Sequence, residues 1–240
     1  MISVHIKDAR VHQGSAPRVL AIFSYRYDAH LVPDLLANIE PFVGGWISYD
    51  DRGAREIFSD EPSRRHALVC AAKEAGADWI LPIDPDERFE CRLAEAMPEL
   101  IAVQGPVAYS FPVRELFAPD AYRVDGIWGR KHQARLIRVP DEIGASPMSL
   151  HSSWHAIAPG VQLRVLDFNL YHLKMITPER RRARRDLYNY LDPDRRFQAI
   201  GYDYLMDEEG LMLELIPEGR TYHPTFSDDH GLWMPDVTGV

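Results

Sequence analysis

The side chains best suited to chemistry stand together at Asp84-Pro85-Asp86-Glu87. Two carboxylates one residue apart on an extended loop can share one hard cation. Oxygen-ligated Mg²⁺ or Mn²⁺ is commonly held by one or two carboxylates together with substrate phosphates. The competing reading is a solvated acidic turn. What comes before the acids favours a site. Trp79-Ile80-Leu81-Pro82-Ile83 is an apolar run of strand length, so the acids begin where a strand ends. Open α/β sheets bind ligands outside the carboxyl ends of their strands.

The elements that must position this loop are legible on either side of it. Residues 2–6 alternate and read as a short edge strand, and 13–17 as a turn or linker. Residues 18–25 (RVLAIFSY) form a continuous apolar strand, as expected of a parallel sheet buried on both faces. Leu31, Leu35, Leu36 and Ile39 recur at helical spacing over 28–39. Residues 46–49 are a second strand ending in Asp50-Asp51-Arg52-Gly53, and 62–75 a second helix stopped by Gly76. The order β-α-β-α-β with short joints predicts a parallel sheet with right-handed crossovers. Its three strand ends, at Tyr25 to Asp28, Asp50 to Gly53 and Asp84 to Arg88, then fall along one edge. Aspartates at such ends meet ribose hydroxyls or a base edge. The first β-α joint lacks G-x-G-x-x-G, so a dinucleotide fingerprint is absent.

The second half is less regular. A helix over 91–103 is disturbed at Pro98, strands are expected at 107–113 and 134–139, and 161–172 alternates in part. Thr177-Pro178-Glu179 is a helix start with a hydroxyl cap and an early proline. The helix it opens carries Arg180, Arg181, Arg182, Arg184 and Arg185. Such a run either lies on a solvated face or meets phosphates or an anionic membrane surface. From Gly201 to Val240 proline, glycine and histidine become frequent, which reads as a tail or lid.

At 240 residues the chain is one large domain or one domain with an appendage. Its net charge of −9 argues against nucleic acid as a partner, since such a partner calls for a basic face. Cys70 and Cys91 are too few for a disulfide framework or a zinc cluster, and a reducing cytoplasm is the simplest compartment. Residues 1–7 carry no signal-peptide core, and no stretch approaches the ~20 apolar residues of a membrane span.

The sequence resembles a family-2 glycosyltransferase of the GT-A fold over roughly residues 17–185. The resemblance rests on the strand at 18–25, on Asp51-Arg52-Gly53, and on Ala77-Asp78-Trp79-Ile80 running into Asp84-Pro85-Asp86-Glu87-Arg88. Arg64, Arg65 and Ala72 sit where the family's helix before its acidic motif would be. Leu170-Tyr171-His172 is similar to a later histidine that some relatives place near the metal. The fold implied is a Rossmann-like, mostly parallel α/β sheet flanked by helices. A nucleotide-binding half spans about 17–105 and an acceptor-side half about 106–200 of a 1–200 domain, with an irregular extension at 201–240. The function implied is hexosyl-type transfer, with inversion, from a nucleotide diphosphate sugar, a UDP-sugar first, to a hydroxyl of a glycan, a lipid-linked or a small-molecule acceptor. Surface polysaccharide or glycoconjugate synthesis is the expected setting, and a peripheral membrane contact stays open.

The resemblance places Asp51 on the base and Asp28 or Tyr25 on the same nucleoside, with Asp50 and Arg65 beside them. Asp84 would face the ribose or a metal-bound water. Asp86 would ligate Mn²⁺ or Mg²⁺, with His172 as a further ligand, so that Asp86→Asn would abolish transfer and leave the fold intact. The pattern departs at the base. Relatives carry a His-Glu pair, whereas Leu150-His151-Ser152 has no acid, which leaves Asp141, Glu142, Asp125 or His155. The Gln-x-x-Arg-Trp motif of processive synthases is missing, so a single-transfer enzyme is expected. Trp128, Trp154 and Trp233 are candidates for stacking on a sugar. Two other classes compete. A phosphatase with an aspartyl nucleophile would continue the Asp-x-Asp into Gly-Thr near the N-terminus. A non-catalytic nucleotide binder would keep the pocket without a base.

Overall fold

A computed structural model describes residues 1–7, 17–53, 61–144 and 153–228. Strands β1 (Ile2–Ile6), β2 (Val19–Tyr25), β3 (Gly45–Asp50) and β4 (Trp79–Pro82) are joined through helices α1 (Val32–Ile39) and α2 (Glu61–Glu74). Strand β5 (Glu87–Phe89) and helix α3 (Leu93–Ile101) lead into β6 (Val107–Ala118), β7 (Ala121–Arg123) and β8 (His132–Arg138). Strands β9 (Gln162–Val165) and β10 (Leu170–His172), helix α4 (Pro178–Leu191) and strand β11 (Leu213–Leu215) complete the order. The strand and helix expectations of the sequence therefore hold to within a few residues. All but Pro17 of the turn or linker expected at 13–17, and the residues around His151, lie outside the described residues.

Alternation along β2 decides the layering, because successive side chains of a strand point to opposite faces. Val19, Ala21 and Phe23 pack with Leu35 and Ile39 of α1 and Leu93 and Met97 of α3. Leu20 and Ile22 pack on the other face with Leu68, Val69 and Ala72 of α2 and with Trp154 and Ile157 of a short 3-10 turn. Both faces of the sheet are covered, which is why β2 and β4 are apolar throughout. β1 runs against β3 at the sheet edge, where Gly45 lets its backbone pass: a Cβ there would meet His5 O at 2.3 Å.

The sheet is α/β and mixed, not mostly parallel. The path runs β1-β3-β2-β4-β8-β6-β10-β5, with β7, β9 and β11 attached to its side. β2 is parallel to β3 and β4, whereas β8 is antiparallel to both β4 and β6. The cause is the connections. Parallel neighbours need a crossover of a dozen or more residues, usually a helix. α1 and α2 supply one in the first half, but no helix separates β6 from β8. β10 is again parallel to β6, so β2, β3, β4, β6 and β10 all point one way with β8 reversed among them. Their carboxyl ends share one edge, and β8 begins at that edge.

Residues 201–228 are part of the body and not a loose tail. Tyr202 and Leu205 pack with Trp128 and Met175, and Tyr222 and Phe226 with Leu31, Leu116 and Tyr171. β11 pairs with β7. No helix of the described residues is long and apolar enough to cross a membrane.

Candidate active site

A cleft of about 600 Å³ opens at the shared edge. The acidic loop enters it in a fixed shape. Glu87 N donates to Asp84 O at 2.9 Å, and Asp84 N donates to Glu87 Oε2 at 3.0 Å. Arg88 is buried beneath and donates to the carbonyls of Pro85 and Glu87, both at 2.7 Å. Burial brings its pKa down to about 10. Leu173 N donates to Asp86 O at 2.7 Å, which ties the loop to the end of β10. The residue pattern at 84–88 thus closes on itself before any ligand is considered.

The acids of this loop meet cations from distant elements. Arg135, from inside the apolar strand β8, lies 2.7 Å from Glu87 and 3.0 Å from Asp84. Asp84 keeps 47 % of its side chain exposed, while Glu87 is buried. Asp86 Oδ2 lies 2.8 Å from Arg184 Nη2 and 3.5 Å from Arg180 Nη2 and from His172 Nε2. Arg180 and Arg184 also hold Asp28. Burial alone would push the Asp86 carboxyl up, but His172, Arg184 and Arg180 together hold it well below the usual carboxylate range. His172 Nδ1 lies 2.9 Å from Glu115, which also holds Lys174 at 3.2 Å. Burial works to lower His172, yet Glu115 and Asp86 raise it to about 9.

Three arginines of the α4 run, Arg180, Arg181 and Arg184, accordingly turn inward and not to solvent. Thr177 Oγ1 accepts from Arg180 N and starts the helix. Arg180, Arg184, Leu187 and Tyr188 then recur at the spacing of one helical face, and that face is turned inward. Arg180 has no exposed side-chain surface and Arg184 retains 12 %. Arg182 alone of the run is left fully exposed.

Other expected residues divide sharply. Tyr25, Asp28, Asp51, Arg65, Asp84, Asp86 and His172 all line the cleft. Asp51 is held by Arg64 at 2.9 Å, and Arg65 by Glu61 at 2.7 Å. Asp50 does not line the cleft, because its carboxylate folds back on Arg52 at 2.7 Å. Asp141 and Glu142 follow β8 at the opposite end of the sheet. Val139 N bonds to Asp78 O ahead of β4, and from there to Asp84 is roughly 20 Å of strand. Neither residue can be a base here. Asp125 is bound by Arg123 at 2.8 Å, and His155 hydrogen-bonds Ser153. Trp128 and Trp154 line the cleft as buried residues, the latter under the Arg65 guanidinium at 4.5 Å. Trp233 lies outside the described residues.

Sequence reasoning missed Arg135, Glu115, Lys131, Lys174 and Tyr188, which also line the cleft. One signal was available: a charged residue inside the apolar run 134–139 needs a buried partner.

The charge balance at Asp86 tests the expected metal. A divalent ion bridging Asp84, Asp86 and His172 would sit beside Arg184 and Arg180, which already lie 2.8 and 3.5 Å from Asp86 Oδ2. Like unit charges 4 Å apart repel by about 4 kcal/mol at an effective dielectric of 20. His172 could donate a lone pair from Nε2 only as the neutral ring, with Nδ1–H on Glu115. The donor set as arranged does not fit Mn²⁺ or Mg²⁺. Neither a protein-family model nor a curated protein matches the chain.

Proposed function

We propose that the protein transfers a glycosyl group from a nucleotide diphosphate sugar, a UDP-sugar first, to an acceptor hydroxyl, on a GT-A-like frame. The observation that carries this reading is the meeting at one sheet edge of three strand-end acids, Tyr25 and Arg65 with a set of buried cations. Seven acidic and seven lysine or arginine side chains line the cleft, and His172 adds further positive charge. The acids and cations of the cleft thus balance in a chain whose net charge is −9, which leaves the cleft more receptive to an anion than the rest of the protein. Tyr25, Tyr27, Tyr188 and Tyr204 offer apolar faces with polar tips, which suit a base or a sugar.

The reaction needs a carboxylate to accept the proton of the acceptor hydroxyl. Asp84 has 47 % of its side chain open, whereas Asp28, Asp51, Glu61, Asp86, Glu87 and Glu115 have 15 % or less. We therefore assign Asp84 to that step. The acceptor oxygen bonds to the anomeric carbon, the bond from that carbon to the diphosphate oxygen breaks, and the nucleoside diphosphate leaves with the bonding pair. The test is release of nucleoside diphosphate from UDP-, GDP-, TDP- and CDP-sugars with panels of glycan and small hydroxyl acceptors. Acceptor-dependent release with the parent protein, lost by about 100-fold or more in Asp84→Asn, is expected. Release by Asp84→Asn at the parent rate removes the base, and no release from any donor removes the transferase.

A further inference from the structure

We propose that the cleft holds the diphosphate of its ligand with side-chain cations, Arg184 and Lys131 foremost, in place of a divalent metal ion. The inference rests on the nucleotide-sugar reading and goes beyond it by naming what neutralises the leaving group. Three observations carry it. Asp86 lines the cleft, and its Oδ2 is already shared by Arg184, Arg180 and His172. A guanidinium therefore stands where a carboxylate-held metal would stand.

Arg184 also has capacity left over. Its Nη2 serves both Asp28 and Asp86, while its Nη1 makes no hydrogen bond with a described residue. A guanidinium offers five donors in a planar fork that matches phosphate oxygens. Finally, Lys131 lines the cleft and makes no ion pair with any described residue. Its pKa is depressed, first by desolvation among the packed groups of the cleft wall and next by Lys174, although its side chain is open to solvent. Lys174 itself is tied to Glu115, so Lys131 is the lysine available to an incoming anion. Hydrogen bonds from cationic nitrogen to phosphate oxygen are the strong, charge-assisted kind. They place positive charge on the bridging oxygen as the bond to the sugar breaks.

The experiment is calorimetric titration of the full chain with UDP and with inorganic pyrophosphate, in EDTA and again with added Mn²⁺. Equal affinity in the two media, within about twofold, is expected for both ligands. Lys131→Met is expected to weaken both by about tenfold without shifting the melting curve, since it breaks no ion pair. Arg184→Lys, which keeps a charge for Asp28 and Asp86, is expected to weaken them by a similar factor. Binding that appears only with Mn²⁺ overturns this inference and leaves the transferase reading standing. Metal-free binding that neither substitution weakens overturns it as well. Failure of UDP, GDP, TDP and CDP to bind in either medium overturns both.

Discussion

Asp51, Asp84 and Asp86 reach the cleft from the ends of β3 and β4, the two strands that flank β2 in the first half of the chain. Asp51 is held by Arg64, 13 residues on, but the other partners come from far off: Arg135 is 51 residues from Asp84, and Arg184 is 98 residues from Asp86 and 156 from Asp28. The strand-end acids are local, whereas the cations that hold Asp84, Asp86 and Asp28 are brought to them by the fold. Each depends on the other, however, because a buried charge is tolerated only when paired. The cleft is therefore a test of tertiary structure as much as of motif. Asp84, half open and served by one arginine, is the exception that can change its partner when a ligand arrives.

The largest expected effect comes from Asp86→Asn. It leaves the positive charges of Arg180 and Arg184 beside a neutral amide in a closed interior. Breaking a buried ion pair from one side costs about 3–5 kcal/mol. Urea unfolding of the purified variant is expected to show a loss of that size with an unchanged slope. This revises the expectation that the substitution spares the fold. A loss under about 1 kcal/mol would mean that Asp28 carries the arginines by itself and that the two rims are less coupled than their distances indicate.

Legibility followed the same division. The first three β-α units were readable because each combines one apolar run with one helical repeat, and parallel pairing then fixes where the strand ends go. The placement of Tyr25, Asp28, Asp51, Asp84 and Asp86 on one cleft followed from that alone. The mixed sheet was not readable. Residues 132–138 are a strand in either orientation, and only the missing crossover helix reverses them. That reversal carries Asp141 and Glu142 away from the site and brings Arg135 into it. The arginines of α4 were visible as a run, but a run of like charges states nothing about which face turns inward. Leu187 is its only buried apolar side chain, so hydrophobic periodicity could not settle it.

A smaller effect, and one that sharpens the account of the basic rim, is the pH dependence set by His172. Its folded pKa, about 9, lies above its unfolded value of 6.5. The folded state therefore binds the proton more tightly, and the stabilisation is fully present below pH about 6.5. It is lost as pH rises through about 9. The shift corresponds to roughly 3 kcal/mol. Unfolding free energy measured from pH about 6 to about 9.5 is expected to fall by that order in the parent and to stay nearly flat in His172→Gln. Parallel curves for the two proteins would show that Glu115 and Asp86 are balanced by Lys174 and the arginines without the imidazolium.

The smallest effect is expected where an acid at a strand end has no distant partner. Asp50 closes β3 and stands next to Asp51 in sequence, yet its carboxylate pairs with Arg52 two residues on, and Arg52 keeps 54 % of its side chain in solvent. Exposed pairs of this kind contribute little, because water screens them and two long side chains must be ordered to make them. Asp50→Asn is thus expected to leave the unfolding midpoint and UDP affinity unchanged, while the neighbouring Asp51→Asn, which strips Arg64 of its buried partner, lowers both. The two variants differ by one position on one strand. If Asp50→Asn were the more damaging, sequence position at the strand end would matter more than reach into the cleft, and the contrast between a local acidic rim and an assembled basic one would fail at its nearest point.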